Sequence, residues 1–282
     1  MTHYIENDLF KIEAKEMGAE LTSVYSKEKD FEYLWQGNAD IWNGQSPILF
    51  PVVGRLIEDK FILDGKEYSM PKHGFARRKQ WEFLTSDGSS MTFRLCDDEG
   101  TREIYPFGFE FLITFSIEDN ILSVKHKIRN TGDNTMYFSL GAHPAFNCNI
   151  GDRLVFSKAE TLEAFKIDLE KSLIIPETTP VMNNETDLII TEDIFKEDAL
   201  IFKGVKSDFV TLESDNHSVK FTLGGAPYLG IWAKPGAPYV CIEPWFGLND
   251  IKDKKVDFTK KVGINKLGPS ECFVYIWKAE LN

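Results

Sequence analysis

The 282-residue chain lacks a long apolar run: the longest, Pro47 to Val53, is too short to cross a bilayer. It also lacks a basic, apolar N-terminus. Met1 to Phe10 is polar and acidic, so no export signal is indicated and a cytoplasmic protein is expected. Cys96, Cys148, Cys241 and Cys272 are spread singly with no Cys-x-x-Cys spacing, which argues against a zinc knuckle and a disulfide scaffold and leaves reduced core thiols. Positive charge is in deficit: 32 Lys plus Arg against 44 Asp plus Glu gives −12, with no basic run beyond Lys254-Lys255 and Lys260-Lys261. Such a surface repels phosphate backbones and anionic lipid, so neither nucleic acid nor membrane is an expected partner. Asn184-Glu185-Thr186 and Asn216-His217-Ser218 match the glycosylation pattern, but without an export signal they read as coincidence.

Helical periodicity is equally scarce. Thr191 to Glu197 and Ala39 to Asn43 are single-turn candidates, and no repeated strand-helix-strand pattern supports a doubly wound sheet. No low-complexity linker, internal repeat or composition break divides the chain, so one domain over residues 1–282 is expected.

Strand patterns are what the chain does have. Leu122, Val124, His126 and Ile128 alternate with Ser123, Lys125, Lys127 and Arg129, the period of two that half-buries a strand. Similar runs cover Met91 to Leu95, Phe109 to Ile117, Met136 to Leu140, Val219 to Leu223 and Phe273 to Trp277. Turn formers separate them, as in Glu118-Asp119-Asn120 and Asn130-Thr131-Gly132-Asp133-Asn134. The fold class is therefore all-β, built of antiparallel hairpins with few short helices. Most of the 22 Phe residues read as core, but aromatics beside Gly, Pro or charge suit stacking on a sugar face, and Trp245 and Phe246 are candidates for it.

Four segments can carry chemistry. In Pro47 to Leu56, Arg55 follows an apolar, twice-prolined stretch and either forks onto vicinal hydroxyls or is an ordinary surface arginine after a turn glycine. In Pro71 to Arg78, His73 beside Gly74 lies in a loop, where it bonds a hydroxyl, binds a metal or is merely solvated. His143 and Glu243 each precede proline, which disfavours the α region and holds both extended. A His and a Glu held across a pocket, on opposite sides of one hexose-sized hollow, form an acid and base pair. By residue type alone, a satisfied core histidine and a structural ion pair remain open for these two.

The order and wording of these segments resemble the aldose 1-epimerase (galactose mutarotase-like) family, most closely its LacX-type branch, over nearly the whole chain. The carrying residues are Phe50 to Leu56, His73-Gly74-Phe75-Ala76-Arg77, Gly141 to Phe146, Asp198-Ala199-Leu200-Ile201-Phe202 and Glu243-Pro244-Trp245. The resemblance implies a galactose mutarotase-like β-supersandwich with a sugar cleft and no cofactor or metal. It implies His143 as general acid, Glu243 as general base, and Arg55, His73 and Asp198 as substrate-binding residues; Arg77 and Trp245 join them as substrate-binding candidates on their own chemistry, a guanidinium and a stacking ring. The expected reaction interconverts the α and β anomers of a small-molecule hexose by ring opening and reclosure, in a monomer or homodimer.

Rival expectations are a hexose-6-phosphate 1-epimerase, with Arg77 or Arg78 on the phosphate, and a non-catalytic carbohydrate-binding protein. The Arg-Gly-Gly-Ile-Pro type motif of the former is replaced here by Asn43-Gly44-Gln45-Ser46-Pro47, while the Asn-Arg-Ile that follows Gly-Arg in free-sugar mutarotases is replaced by Leu56-Ile57-Glu58. A cupin-like triad of His73, His143 and Glu243 lacks the usual His-x-His, and Glu243 with Asp198 offers the paired carboxylates of glycoside hydrolysis.

Overall fold

Alternation builds the largest sheet. A computed structural model describes residues 1–282, and in its strand Phe109–Glu118 the side chains of Phe109, Phe111, Ile113, Phe115 and Ile117 are buried while those between them are half-buried. The turn at Asp119, with φ 49°, returns the chain as Ile121–Asn130, setting Val124 opposite Phe115 and Ile128 opposite Phe111. Cys272–Leu281 pairs with the far side of that strand. The sheet holds nine antiparallel strands, in the order Leu173–Ile189, Arg153–Asp168, Phe209–Glu213, Ser218–Thr222, Cys272–Leu281, Ile121–Asn130, Phe109–Glu118, Ser90–Cys96 and Glu82–Ser86. The edge strand Leu173–Ile189 carries Pro176 and Pro180, which cannot donate to a further ladder and so guard that edge.

Two sheets of four and five strands complete the supersandwich, and two two-stranded sheets flank them. Thr2–Glu6, Phe10–Lys15, Glu20–Ser26 and Phe31–Glu32 form one; Tyr239–Phe246, Tyr228–Trp232 and Leu200–Lys203, with Leu140–Gly141 and Ala145–Asn147 against Tyr239–Phe246, form the other. A bridge between Leu34 and Phe146 joins them. A core of 68 buried residues takes side chains from every sheet, from Ile5 to Leu281. Phe50 meets Phe75, Tyr105, Phe109, Phe111 and Phe138 at ring-centroid distances of 5.1–6.2 Å, contacts each worth about 0.5–1.5 kcal/mol beyond the area they bury.

The run Met136 to Leu140 is divided between two sheets. Met136–Phe138 pairs with Asn265–Leu267, whereas Leu140–Gly141 pairs with Tyr239–Phe246, so the chain switches sheets at Ser139. Thr191 to Glu197 and Ala39 to Asn43 form turns, not helix. The α-helix is Glu99–Ile104, capped by Asp98, whose carboxylate accepts from the Thr101 N–H while the Thr101 hydroxyl accepts from the Asp98 N–H. Gly100 and the lack of an apolar stripe hid it, although the Asp-x-x-Thr spacing is a capping signal. No helix is long and apolar enough to cross a membrane.

Candidate active site

The site is built on Tyr239–Phe246, a strand buried along nearly its whole length. Alternation places Cys241, Glu243 and Trp245 on one face. Across the ladder, Gly230 lies opposite Glu243 and Trp232 opposite Cys241; on the other side, Gly141 lies opposite Trp245 and Ala145 opposite Cys241. Between those last two pairs the neighbouring chain arches away as Ala142-His143-Pro144. The Ala142 N–H donates to the Pro244 carbonyl (3.2 Å) and the Ile242 N–H to the Pro144 carbonyl (3.2 Å), so bonds bracket the arch and its histidine stands beside Glu243.

His143 Nε2 lies 3.4 Å from Glu243 Oε2, which also accepts from Trp245 Nε1–H at 3.2 Å. The pair lies side by side on one wall of a cavity of about 330 Å³, not on facing walls. That volume is at the lower end of small-molecule sites, about 300–1,000 Å³. Burial governs both groups: it pushes the Glu243 carboxyl well above the ordinary carboxylate range and the His143 imidazole down to about 3. Together they hold one proton, and burial favours its residing on the carboxyl, in the neutral pair. Donor atoms of His143, Cys241 and Glu243 fall within 4.8 Å of one another, a spacing able to hold a metal ion, whereas His73 is not part of that cluster. Burial holds the Cys241 thiol protonated, well above its usual range.

His73 faces the same cavity, and Gly54 fixes its ring. The Gly54 N–H donates to His73 Nδ1 (3.1 Å) and the His73 N–H to the Gly54 carbonyl (2.8 Å). With Nδ1 accepting, a neutral His73 presents Nε2–H as a donor. It stays neutral because burial pushes its pKa well down. Gly54 holds φ +71°, and a Cβ there would stand 2.0 Å from Asn249 Oδ1.

Asp198 lines the cavity from a residue at φ 77°, its Oδ1 accepting from the Ala199 N–H at 2.8 Å. Arg77 lines it too; its Nη2 donates to the Lys72 carbonyl (3.0 Å), its buried Nε has no protein partner, and burial lowers its pKa. Trp245 belongs to the same wall. Thus His73, Arg77, His143, Asp198, Glu243 and Trp245 converge, and Arg55 does not. Its guanidinium forks onto Asp59 at 2.7 and 2.9 Å and lines a separate hollow with Lys171 and Lys252. The carboxylate four residues on holds the guanidinium outside the cavity, so the structure does not bring Arg55 together with the other expected residues. Phe246 is likewise turned away: it packs on Phe273 and Tyr275 at 5.1 and 4.8 Å, the face of the strand opposite Trp245.

Sequence reasoning missed Trp42, Trp232 and Lys72. Trp42 stacks on the His143 ring at 5.1 Å and 24°, and Trp232 meets that ring edge-on at 5.8 Å. The signal for Trp42 was an aromatic in a Gly- and Asn-rich loop, the pattern already noted for Trp245.

A supersandwich that gathers two imidazoles, two carboxyl groups, a guanidinium and indole faces in one cavity is a sugar-isomerase scaffold. Residues 1–251 match the family model for aldose 1-epimerase, and the chain belongs to the aldose 1-epimerase family, isomerases of the mutarotase type. It is 29% identical over 287 residues to the plasmid-encoded protein LacX of Lactococcus lactis subsp. lactis, covering 95% of each. Among solved structures, a galactose mutarotase related enzyme from Lactobacillus acidophilus superposes with a TM-score of 0.95 at 33% identity, covering 100% of this chain and 97% of that one. A galactose mutarotase-like protein from Lactobacillus casei does so with a TM-score of 0.95 at 30% identity, covering 100% of both.

Proposed function

We propose that the protein interconverts the α and β anomers of a free hexose, with Glu243 as base and His143 as acid. The carrying observation is the 3.4 Å approach of His143 Nε2 to Glu243 Oε2 in the cavity wall. The two oxygens that must exchange protons, the anomeric hydroxyl and the ring oxygen, share one carbon. An acid and a base that serve them must therefore be neighbours. The reaction starts once the pair's single proton passes from Glu243 across the 3.4 Å gap to His143 Nε2. Glu243 takes the anomeric hydroxyl proton as His143 Nε2 protonates the ring oxygen, and the hemiacetal opens to the aldehyde. Rotation about the first carbon-carbon bond presents the other carbonyl face, and reclosure with roles reversed gives the other anomer. Nothing is transferred, so the proton count of the pair is restored. His73 Nε2–H, Arg77 and Asp198 orient the hydroxyls, and Trp245 offers an apolar face.

A second reading, a hexose-6-phosphate 1-epimerase, is favoured by Lys72 and Arg77 in the same cavity. A putative glucose-6-phosphate 1-epimerase of Escherichia coli is 24% identical over 190 residues, 60% of this chain. An NMR exchange or polarimetric assay over glucose, galactose, tagatose and their 6-phosphates tests both readings. Acceleration of anomer exchange for free hexoses is expected; acceleration for the phosphates alone would replace the first reading with the second, and none at all would leave a binding protein.

A further inference from the structure

Behind His143, away from the sugar cavity, lies a small interior void of about 10 Å³ lined by Ser46, Ala142, His126, His143 and Trp277 among apolar side chains, Phe115 included. That is about the space one water needs. Three buried nitrogens of its lining residues, His143 Nδ1, His126 Nδ1 and Trp277 Nε1, have no hydrogen bond of good geometry within the protein, although the His126 ring also lies near the Tyr275 and Val124 backbone. An orphaned buried donor or acceptor costs about 1–3 kcal/mol, and three around one void point to a common partner. His126 and Trp277 are 1% exposed, and His143 8%. The ladder explains their meeting. Val124 pairs with Trp277 and His126 with Tyr275, so His126 and Trp277 are diagonal neighbours on the buried face of the nine-stranded sheet.

We infer that this void is a one-water site in which the water accepts from His143 Nδ1–H and Trp277 Nε1–H and donates to His126 Nδ1. Trp277 can only donate, which takes one lone pair of the water; His143 Nε2, 3.4 Å from Glu243 Oε2, accepts from the protonated carboxyl, so Nδ1 carries the ring hydrogen and takes the second, leaving a water hydrogen for His126 Nδ1. Nδ1 of His143 then stays protonated throughout, and Nε2, facing Glu243, is the nitrogen that gains and loses the proton. His126 and Trp277 are thus positioning residues for an acid they do not touch. The catalytic consequence rests on the proposed role of His143, whereas the tautomer does not.

The test is long-range proton-nitrogen NMR on the full chain carrying nitrogen-15 histidine, alongside anomer-exchange kinetics. The free protein is expected to show His143 protonated at Nδ1 and bare at Nε2. His126→Leu, which removes the acceptor, should populate the other tautomer and lower kcat about 10- to 100-fold, the usual cost of losing an orienting partner, with KM little changed. His126→Gln keeps an acceptor oxygen and should restore both. Trp277→Phe, which removes the N–H together with one ring of a fully buried indole, is the second variant where the leucine variant fails to fold and should lower kcat in the same sense. A wild-type His143 protonated at Nε2 alone, or kcat unmoved in both the leucine and phenylalanine variants, would overturn the inference. Were no sugar turned over, the NMR result would still decide the water site while the proposed function failed.

Discussion

Gly54 and His73 hold each other by two reciprocal hydrogen bonds, 2.8 and 3.1 Å long, and the second of these sets which ring nitrogen His73 offers to the cavity. In the Gly-Arg pair it is the glycine that bonds a cavity residue, while the arginine pairs with Asp59. Gly54→Ala forces a side chain into φ +71° and to 2.0 Å from Asn249 Oδ1, a strain of about 1–3 kcal/mol before any clash is relieved. We expect a lower melting temperature and a fall in kcat/KM for anomer exchange. Arg55→Ala removes only a partly exposed ion pair with Asp59, worth about 0–1 kcal/mol, and should leave kcat/KM near wild type. A large activity loss in Arg55→Ala with Gly54→Ala unaffected would reverse the assignment.

Glu243→Gln is nearly isosteric, and its amide oxygen can still accept from Trp245 Nε1–H, now 3.2 Å away. The fold should survive, with thermal melting at or above that of the wild type, because a buried ionisable group is replaced by a neutral one. Anomer exchange should fall by about 10²–10⁴-fold, the usual contribution of a positioned base. His143→Asn should do the same for the acid. Exchange rates near wild type in either variant would remove that residue from the mechanism.

Much of this architecture can be read from the chain because burial writes period two into it. Phe109 to Ile117 and the Leu122 to Ile128 alternation both appear as strands facing one core. His143 and Glu243 were legible through their prolines, whose restriction of the preceding backbone is local. Arg55 was misplaced because two partners competed for one guanidinium, and only three-dimensional proximity chose Asp59. Trp42 and Trp232 were hidden for the same kind of reason. Nothing local directs Trp42 onto His143; its position follows from stacking on Tyr239 at 5.4 Å, a contact almost two hundred residues distant in the chain. The sheet switch at Ser139 was illegible because both halves of Met136 to Leu140 are apolar enough to be strand in either sheet.

The pH dependence follows from the same burial. An ordinary imidazole loses its proton near 6.5, but His143 is pushed down to about 3, so the free protein keeps it neutral across the weakly acidic range. Glu243 moves the other way and retains its proton well above 4.5. The pair therefore holds one proton over a wide interval, and only the one-proton state has both an acid and a base once sugar binds. The profile of kcat/KM should be a broad bell, reporting apparent values of the pair. It should show no limb at 6.5, an acid limb near about 3 where a second proton is gained, and an alkaline limb where the last is lost. A limb centred on 6.5 would mean that His143 titrates as a solvated imidazole.

Arg77 separates free sugars from their phosphates. Its Nε is buried without a protein partner and its Nη2 is tied to the Lys72 carbonyl, so the guanidinium is oriented and has donors to spare. A phosphate dianion would engage Arg77 and Lys72 together, whereas a hydroxyl needs only one donor. Hydrogen bonds to charged groups contribute about 1.5–3 kcal/mol, roughly 10- to 150-fold in affinity. In Arg77→Ala, KM for glucose 6-phosphate should therefore rise by at least about tenfold while KM for glucose moves far less. Equal rises for both sugars would place Arg77 on a hydroxyl common to them, and the case for phosphate recognition at this cavity would lapse.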